Sequence, residues 1–212
     1  EYTDMTKAAF MRILQWNNPW FDDYKMEKDF LLTLILIKFW QKYHDLIFKW
    51  GTCLNKIYFP YFRMSEDLDF VINTNLWRTA RQTLLKKYEE DFVQDLSILW
   101  LQLQEGRTKF DEHKLACFTF EYDSILNNTP QTIKIDISLK SHLFLPPVSK
   151  PIQSIYRDKI LEENIFWEHF IACIDIKESA SEKMRASLTR TTPAIRDFFD
   201  IWYLKNIWNF DF

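Results

Sequence analysis

Residues 131–139, QTIKIDISL, alternate almost without exception: Ile133, Ile135 and Ile137 face one way, and Lys134, Asp136 and Ser138 the other. Successive side chains of a strand point to opposite faces. This run is therefore a strand with one apolar face that a core must cover. The run before it, LACFTFEYD at 115–123, alternates through its middle, and residues 127–130 between the two are a strong turn signal. Together they predict an antiparallel hairpin.

The remaining pattern fits elements around that hairpin. A short amphipathic helix is expected at 6–15, a loop at 16–24, and a long, mostly apolar helix at 27–44. A short strand follows at 46–49, then a helical pattern at 52–58 and a strand at 68–73, LDFVIN. Residues 75–104 read as helical at least to Tyr88, and Gly106 as a turn. A Pro-bearing connection spans 143–154. Helices at 178–189 and 194–206 are split by TRTTP, with Thr192 as N-cap and Pro193 at the first helical position. The order predicts an α/β (α+β) fold: a central mixed sheet with helices gathered at both ends.

Several classes are excluded. The most apolar run, 30–40, is eleven residues and contains Lys38, whereas a membrane span needs ~20. No signal-peptide pattern is visible. Two glycines in 212 residues cannot supply a GxGxxG or Walker A loop. Three cysteines without a CxxC pair and four histidines without HxxxH spacing support neither a zinc ribbon nor a redox site. They predict reduced thiols in a cytoplasmic protein. A net charge of −3 excludes a globally basic coat but not a local basic site.

The chemistry-bearing residues begin with Asp67 and Asp69 in SEDLDF. Two residues apart on a strand, they share one face and suit a divalent cation. Asp136, on the polar face of a neighbouring strand, adds a third carboxylate; three together are what in-line phosphoryl or nucleotidyl transfer requires. In IFKWGTCL (47–54) a strand ends, Gly51 turns the chain and Thr52 starts a helix, so backbone can approach a phosphate and Thr52 can cap the helix or bond an oxygen. Lys183, Arg185, Arg190 and Arg196 fall within fourteen residues with no acid between them. Lys183, Ser187 and Arg190 share a helical face, and RDFFD adds Asp197 and Asp200.

Four segments resemble the AbiEii toxin family of the polymerase-β-like nucleotidyltransferase superfamily. EKDFLLTLIL (27–36) is similar to the helix before the family's active site. FKWGTCLNKIYFPYFRMSEDLDFVI (48–72) resembles F-K-G-G-T-x-L-x-K-x-Y…R-x-S-E-D-x-D. IKIDIS (133–138) and KMRASLTRTTPAIRDFFDIWYL (183–204) resemble the third carboxylate strand and the K…R…R-D-x-x-D-L close. The resemblance implies a minimal nucleotidyltransferase fold, with the core and N-terminal helices in 1–145 and a mainly helical part completing the site in 146–212.

It further implies Mg²⁺ on Asp67, Asp69 and Asp136, with Lys183 in the catalytic set. Lys49, Gly51, Thr52, Ser65, Arg190, Arg196, Asp197 and Asp200 would form the nucleotide pocket. The implied reaction moves a nucleoside monophosphate from an NTP to an RNA (tRNA included) or protein acceptor and releases pyrophosphate. The implied setting is toxin–antitoxin or phage defence with a cognate antitoxin. One position departs: the family's first glycine is Trp50 here. Its side chain can crowd the nucleotide, stack on the base or turn away. Two other readings stay open: a catalytically weak member acting by partner binding, and a different carboxylate–metal enzyme such as a phosphohydrolase.

Overall fold

A computed structural model describes residues 21–59, 61–111, 114–140, 142–158 and 163–210. The helix expected at 6–15 lies outside them. The long apolar helix is α1, Asp23–Lys42, and Asp22 caps it by accepting from the N–H groups of Tyr24 and Lys25. Strand β1 (Ile47–Lys49) leads directly into α2 (Trp50–Cys53), which continues as a π-helical turn, Leu54–Tyr58. Then come β2 (Asp67–Asn73) and α3 (Arg78–Ser97). Short strands β3 (Gln102–Leu103) and β4 (Lys109–Asp111) flank Gly106, whose φ of +73° suits glycine. The expected hairpin is β5 (Leu115–Asp123) and β6 (Pro130–Lys140).

The C-terminal part differs from expectation. Residues 148–151, read as a connection, form β7 (Val148–Pro151), which pairs with β8 (Phe170–Cys173). Helices α4 (Ile176–Thr189) and α5 (Ile195–Asn206) follow. Asp175 caps α4 through the N–H of Lys177. Thr192 does not cap α5: the N-cap is Ala194, without a side-chain bond, and Pro193 precedes the helix.

Eight described strands make one mixed sheet in the order β3-β5-β6-β2-β1-β8-β7, with β4 also pairing β5. β2 runs parallel to β6 and β1 parallel to β8; β1 and β2 are antiparallel. Alternation splits the faces. Leu68, Phe70, Ile135, Ile137, Phe118 and Phe120 enter the main core under α1 and α3, where Phe39 stacks on Phe92 at 4.5 Å. The opposite face carries Asp67, Asp69, Lys134 and Asp136.

A buried ion pair joins α1 to the π-helical turn. Lys56 Nζ lies 2.8 Å from Asp29 Oδ1, both essentially inaccessible, and donates to Thr33 Oγ1. The hydroxyls of Tyr61 and Tyr156 donate to Asp29 Oδ2 at 3.0 and 3.1 Å. Burial pushes the Lys56 ammonium down and Asp29 opposes it. Removing one partner of such a pair costs about 3–5 kcal/mol because the other charge stays buried. Lys56→Met should lose stability on that scale in urea denaturation, and Lys56→Met with Asp29→Leu should recover most of it. An unchanged midpoint in the single variant would refute the tie.

Candidate active site

Strand register assembles the site. Lys49 on β1 pairs with Asp69 on β2, Asp69 with Asp136 on β6, and Asp136 with Cys117 on β5. Residues in register share a face, so Lys49, Asp69, Asp136 and Cys117 form one row across four strands. A second row runs Asp67, Lys134, Thr119. The apolar neighbours Leu68, Phe70, Ile135 and Ile137 are fully buried on the other face and fix which way the acids point.

These acids repel. Asp69 keeps some surface in a cleft but is otherwise surrounded by protein. Burial, then Asp136, pushes its carboxyl from 3.8 up to about 7, against Lys49. Burial raises Asp136 as well, opposed by a hydrogen bond from Cys117. The Cys117 thiol is pushed up to about 12 by burial and by Asp136. Asp136 Oδ1 is buried and has no hydrogen-bond partner among the described residues. Lys49 is driven down by burial, partly offset by Glu182 and Asp69.

The cations come from the C-terminal helices. Lys183 on α4 lies between two carboxylates of α5, 2.9 Å from Asp197 Oδ1 and 2.9 Å from Asp200 Oδ2. Arg190 pairs with the other oxygen of Asp197. Asp200 holds Arg63 by a two-pronged contact, Nε at 2.6 Å and Nη2 at 2.8 Å. Gly51 faces that guanidinium: a Cβ there would come within 2.8 Å of Arg63 Nη2 and 3.1 Å of Ser65 Oγ. With Arg63 locked on Asp200, glycine is required for the close approach.

A cleft of about 110 Å³ gathers most of the expected residues. Gly51, Ser65, Asp67, Asp69, Asp136, Lys183, Arg190, Arg196 and Asp197 line it. Three others stand behind it. Lys49 is buried at its floor, and Asp200 is buried among its cations. Thr52 is buried too; its hydroxyl donates to the Asp67 carbonyl and lies 2.8 Å from Ser65 Oγ, so it ties the turn to β2 and does not cap α2. Arg63, Glu182 and Cys117 also stand at the site, where nothing in their own spacing marks a role. Of the three, Arg63 alone lies in a motif, RMSEDLD, two residues before Ser65.

Trp50 lines the same cleft. Its φ is +64°, the left-handed region that favours glycine. The indole N–H donates to Glu182 Oε2 at 2.7 Å, the Lys49 ammonium lies 4.3 Å from the ring centroid, and the Arg190 guanidinium lies 6.0 Å from it. Glu182 also pairs with Lys140. The backbone thus keeps a glycine's shape while the side chain bridges β1 to α4.

Among the described residues no three acids, cysteines or histidines are already gathered as a closed metal cage. Three carboxylates facing one cleft, one with an unpartnered oxygen, still suit Mg²⁺, which binds through one or two carboxylates and completes its shell with water and phosphate oxygens.

The sequence profile of the family described as "Nucleotidyl transferase AbiEii toxin, Type IV TA system" matches residues 39–212. No curated protein matches the sequence. Among solved structures, the JHP933 protein of Helicobacter pylori superposes with a TM-score of 0.58 at 18% identity, covering 86% of this chain and 66% of that one. A candidate nucleotidyltransferase from H. pylori gives 0.53 at 20% identity, covering 87% and 69%. At such identities the likeness is one of fold. This chain spans just under two thirds of the length of the first.

The Asp69 carboxyl holds its proton more tightly folded than unfolded, so its contribution to the stability of the metal-free protein falls as pH rises from about 4 to about 7 and is level above. Asp69→Asn should therefore raise the melting temperature at pH 8 by about 5 °C and change it little at pH 4. An equal or lower melting temperature at pH 8 would contradict a carboxyl raised by burial and by Asp136.

Proposed function

The chain belongs to the AbiEii nucleotidyl transferase toxin family, and we propose that it moves a nucleoside monophosphate from an NTP to an acceptor hydroxyl with Mg²⁺. On this reading the acceptor is an RNA, tRNA included, or a protein. The enzyme is the toxin of a type IV toxin–antitoxin pair, with phage defence as its setting, a cognate antitoxin as its partner and the cytoplasm as its place. Among the described residues no helix is long and apolar enough to cross a membrane.

The observation that carries the reading is the in-register pair Asp69 and Asp136, with Asp67 on the same face and Lys183 and Arg190 across the cleft. Asp67, Asp69 and Asp136 would hold Mg²⁺, which when bound neutralises phosphate charge and polarises the α-phosphate. Lys183 and Arg190 would offset the remaining charge of the triphosphate. The Gly51 turn would let backbone approach it. In the reaction a bond forms from the acceptor oxygen to the α-phosphorus and the bond to the bridging oxygen breaks. Pyrophosphate leaves, and a cleft carboxylate takes the hydroxyl proton.

The second reading, a weak catalyst that works by binding a partner, is favoured by Trp50 alone, which occupies part of a small cleft. Incubation with Mg²⁺, each labelled NTP and total RNA or protein separates the readings. Transfer predicts a labelled acceptor, with the signal down roughly a hundredfold or more in Asp67→Ala and Asp69→Ala. Nucleotide binding without labelling, or no binding, would sink it; free phosphate without a labelled acceptor would indicate a phosphohydrolase. Trp50→Gly keeps the backbone shape and empties the cleft, so NTP should bind several-fold more tightly in a calorimetric titration. Weaker binding would mean that the indole stacks on the base.

A further inference from the structure

A second cleft, about 480 Å³, opens beside the first and shares Arg63, Ser65, Asp67 and Arg196 with it. Its other wall carries Lys28 and Lys134. Two of its four cations are committed: Lys28 to Glu66 at 2.8 Å and Arg63 to Asp200. Lys134 and Arg196 are both exposed and have no ion-pair partner among the described residues. Lys134 stands in register with Asp67. The acid that opens the metal-suited strand thus lies at the edge of a cleft with uncommitted positive charge, in a chain whose net charge is −3.

An aromatic ladder leads out of this cleft. The Arg63 guanidinium lies 5.4 Å from the Phe62 ring centroid. Phe62 stacks on Phe199 at 6.0 Å and 8°, and Phe199 on Trp202 at 5.9 Å and 29°. Arg196, Phe199 and Trp202 follow one another at three-residue spacing along one face of α5. The inner end is anchored, since Phe62 packs against the small core containing Phe59 and Leu204. The outer end is not: Phe199 is 38% and Trp202 51% exposed. Phe62 is packed into that core, whereas Trp202 keeps about half its surface in water.

We propose that this ladder and the neighbouring cations bind a single-stranded polynucleotide, a base stacked on Trp202 at the ladder's outer end and its phosphates on Lys134 and Arg196. Stacking platforms beside a basic groove are how single strands are held without sequence readout. The two uncommitted cations favour a phosphate-bearing partner over a protein hydroxyl. In-line displacement brings the acceptor from the side opposite the leaving group, and the second cleft meets the first at Asp67. That use of the strand, as acceptor, rests on the nucleotidyl-transfer reading; its binding does not.

Fluorescence anisotropy with a labelled oligoribonucleotide of mixed sequence, its deoxy counterpart and the matching duplex, across a salt series, tests the proposal. Single strands should bind more tightly than duplex, and affinity should fall with salt. Lys134→Ala and Arg196→Ala should each reduce the salt slope by about one charge. Trp202→Ala should weaken binding about tenfold with the salt slope and NTP binding unchanged, and Trp202→Phe should restore most of it. Duplex binding as tight as single strand, an unaffected Trp202→Ala, or labelling of protein with no oligonucleotide bound would overturn the proposal. Loss of NTP binding in the wild type with strand binding intact would remove the transfer reading and leave the docking surface standing.

Discussion

Two like charges held side by side are the constraint around which this structure is arranged. Asp69 and Asp136 face one another on parallel neighbouring strands, at a spacing where both carboxylates resist ionising together. Such a pair persists only if the surroundings leave it no way out. Ile135 and Ile137 of β6 and the Leu68–Phe70 pair of β2 provide that, because turning the acids away would turn these four buried apolar side chains into water. Core packing on one face is thereby converted into electrostatic tension on the other.

The cationic side of the cleft is organised by acids as well. Asp197 and Asp200 sit one helical turn apart on α5 and between them collect Lys183, Arg190 and Arg63. Those three cations come from α4, from the residue after it and from the loop before β2. Three positive groups against two negative ones leave an excess directed at the cleft, in an orientation no single helix would impose. The same lock on Arg63 is what forbids a side chain at Gly51. A glycine on one side of the sheet and an aspartate some 150 residues later in the chain (51 and 200) are one device.

The hairpin was legible because alternation over β5 and β6 fixes which way each side chain faces, and Asp136 followed from it; Asp67 and Asp69 followed from their own two-residue spacing in SEDLDF. Lys183 and Arg190 were legible from helical spacing, although not that Asp197 and Asp200 would surround them. β7 and β8 were not: four residues are too few for periodicity, and Pro151 argues against a strand. Thr192 was read as a cap from local chemistry, but the helix starts two residues further on, at Ile195 after Ala194, with Asp197 of its first turn paired to Lys183 and Arg190. Thr52 looked like a phosphate ligand because the turn's neighbour across the sheet cannot be read from the turn itself. Arg63 and Glu182 are tertiary in the same sense, their partners lying far away in sequence.

The left-handed backbone at Trp50 has a consequence for how independently the residues around it can vary. The indole occupies a conformation that costs a bulky residue about 1–2 kcal/mol. In return it supplies a donor to Glu182, whose carboxyl is raised by burial yet held below its ordinary range by Lys140, Lys49 and Trp50. Restoring glycine would relax the backbone and at the same step strip a half-buried glutamate of one of its partners, next to a cleft suited to phosphate. Position 50 is therefore coupled to Glu182 and, through it, to Lys140, so substitutions at these three positions should not be additive. One side chain in a turn thus joins the end of β1 to α4 and, through a shared carboxylate, to the end of β6.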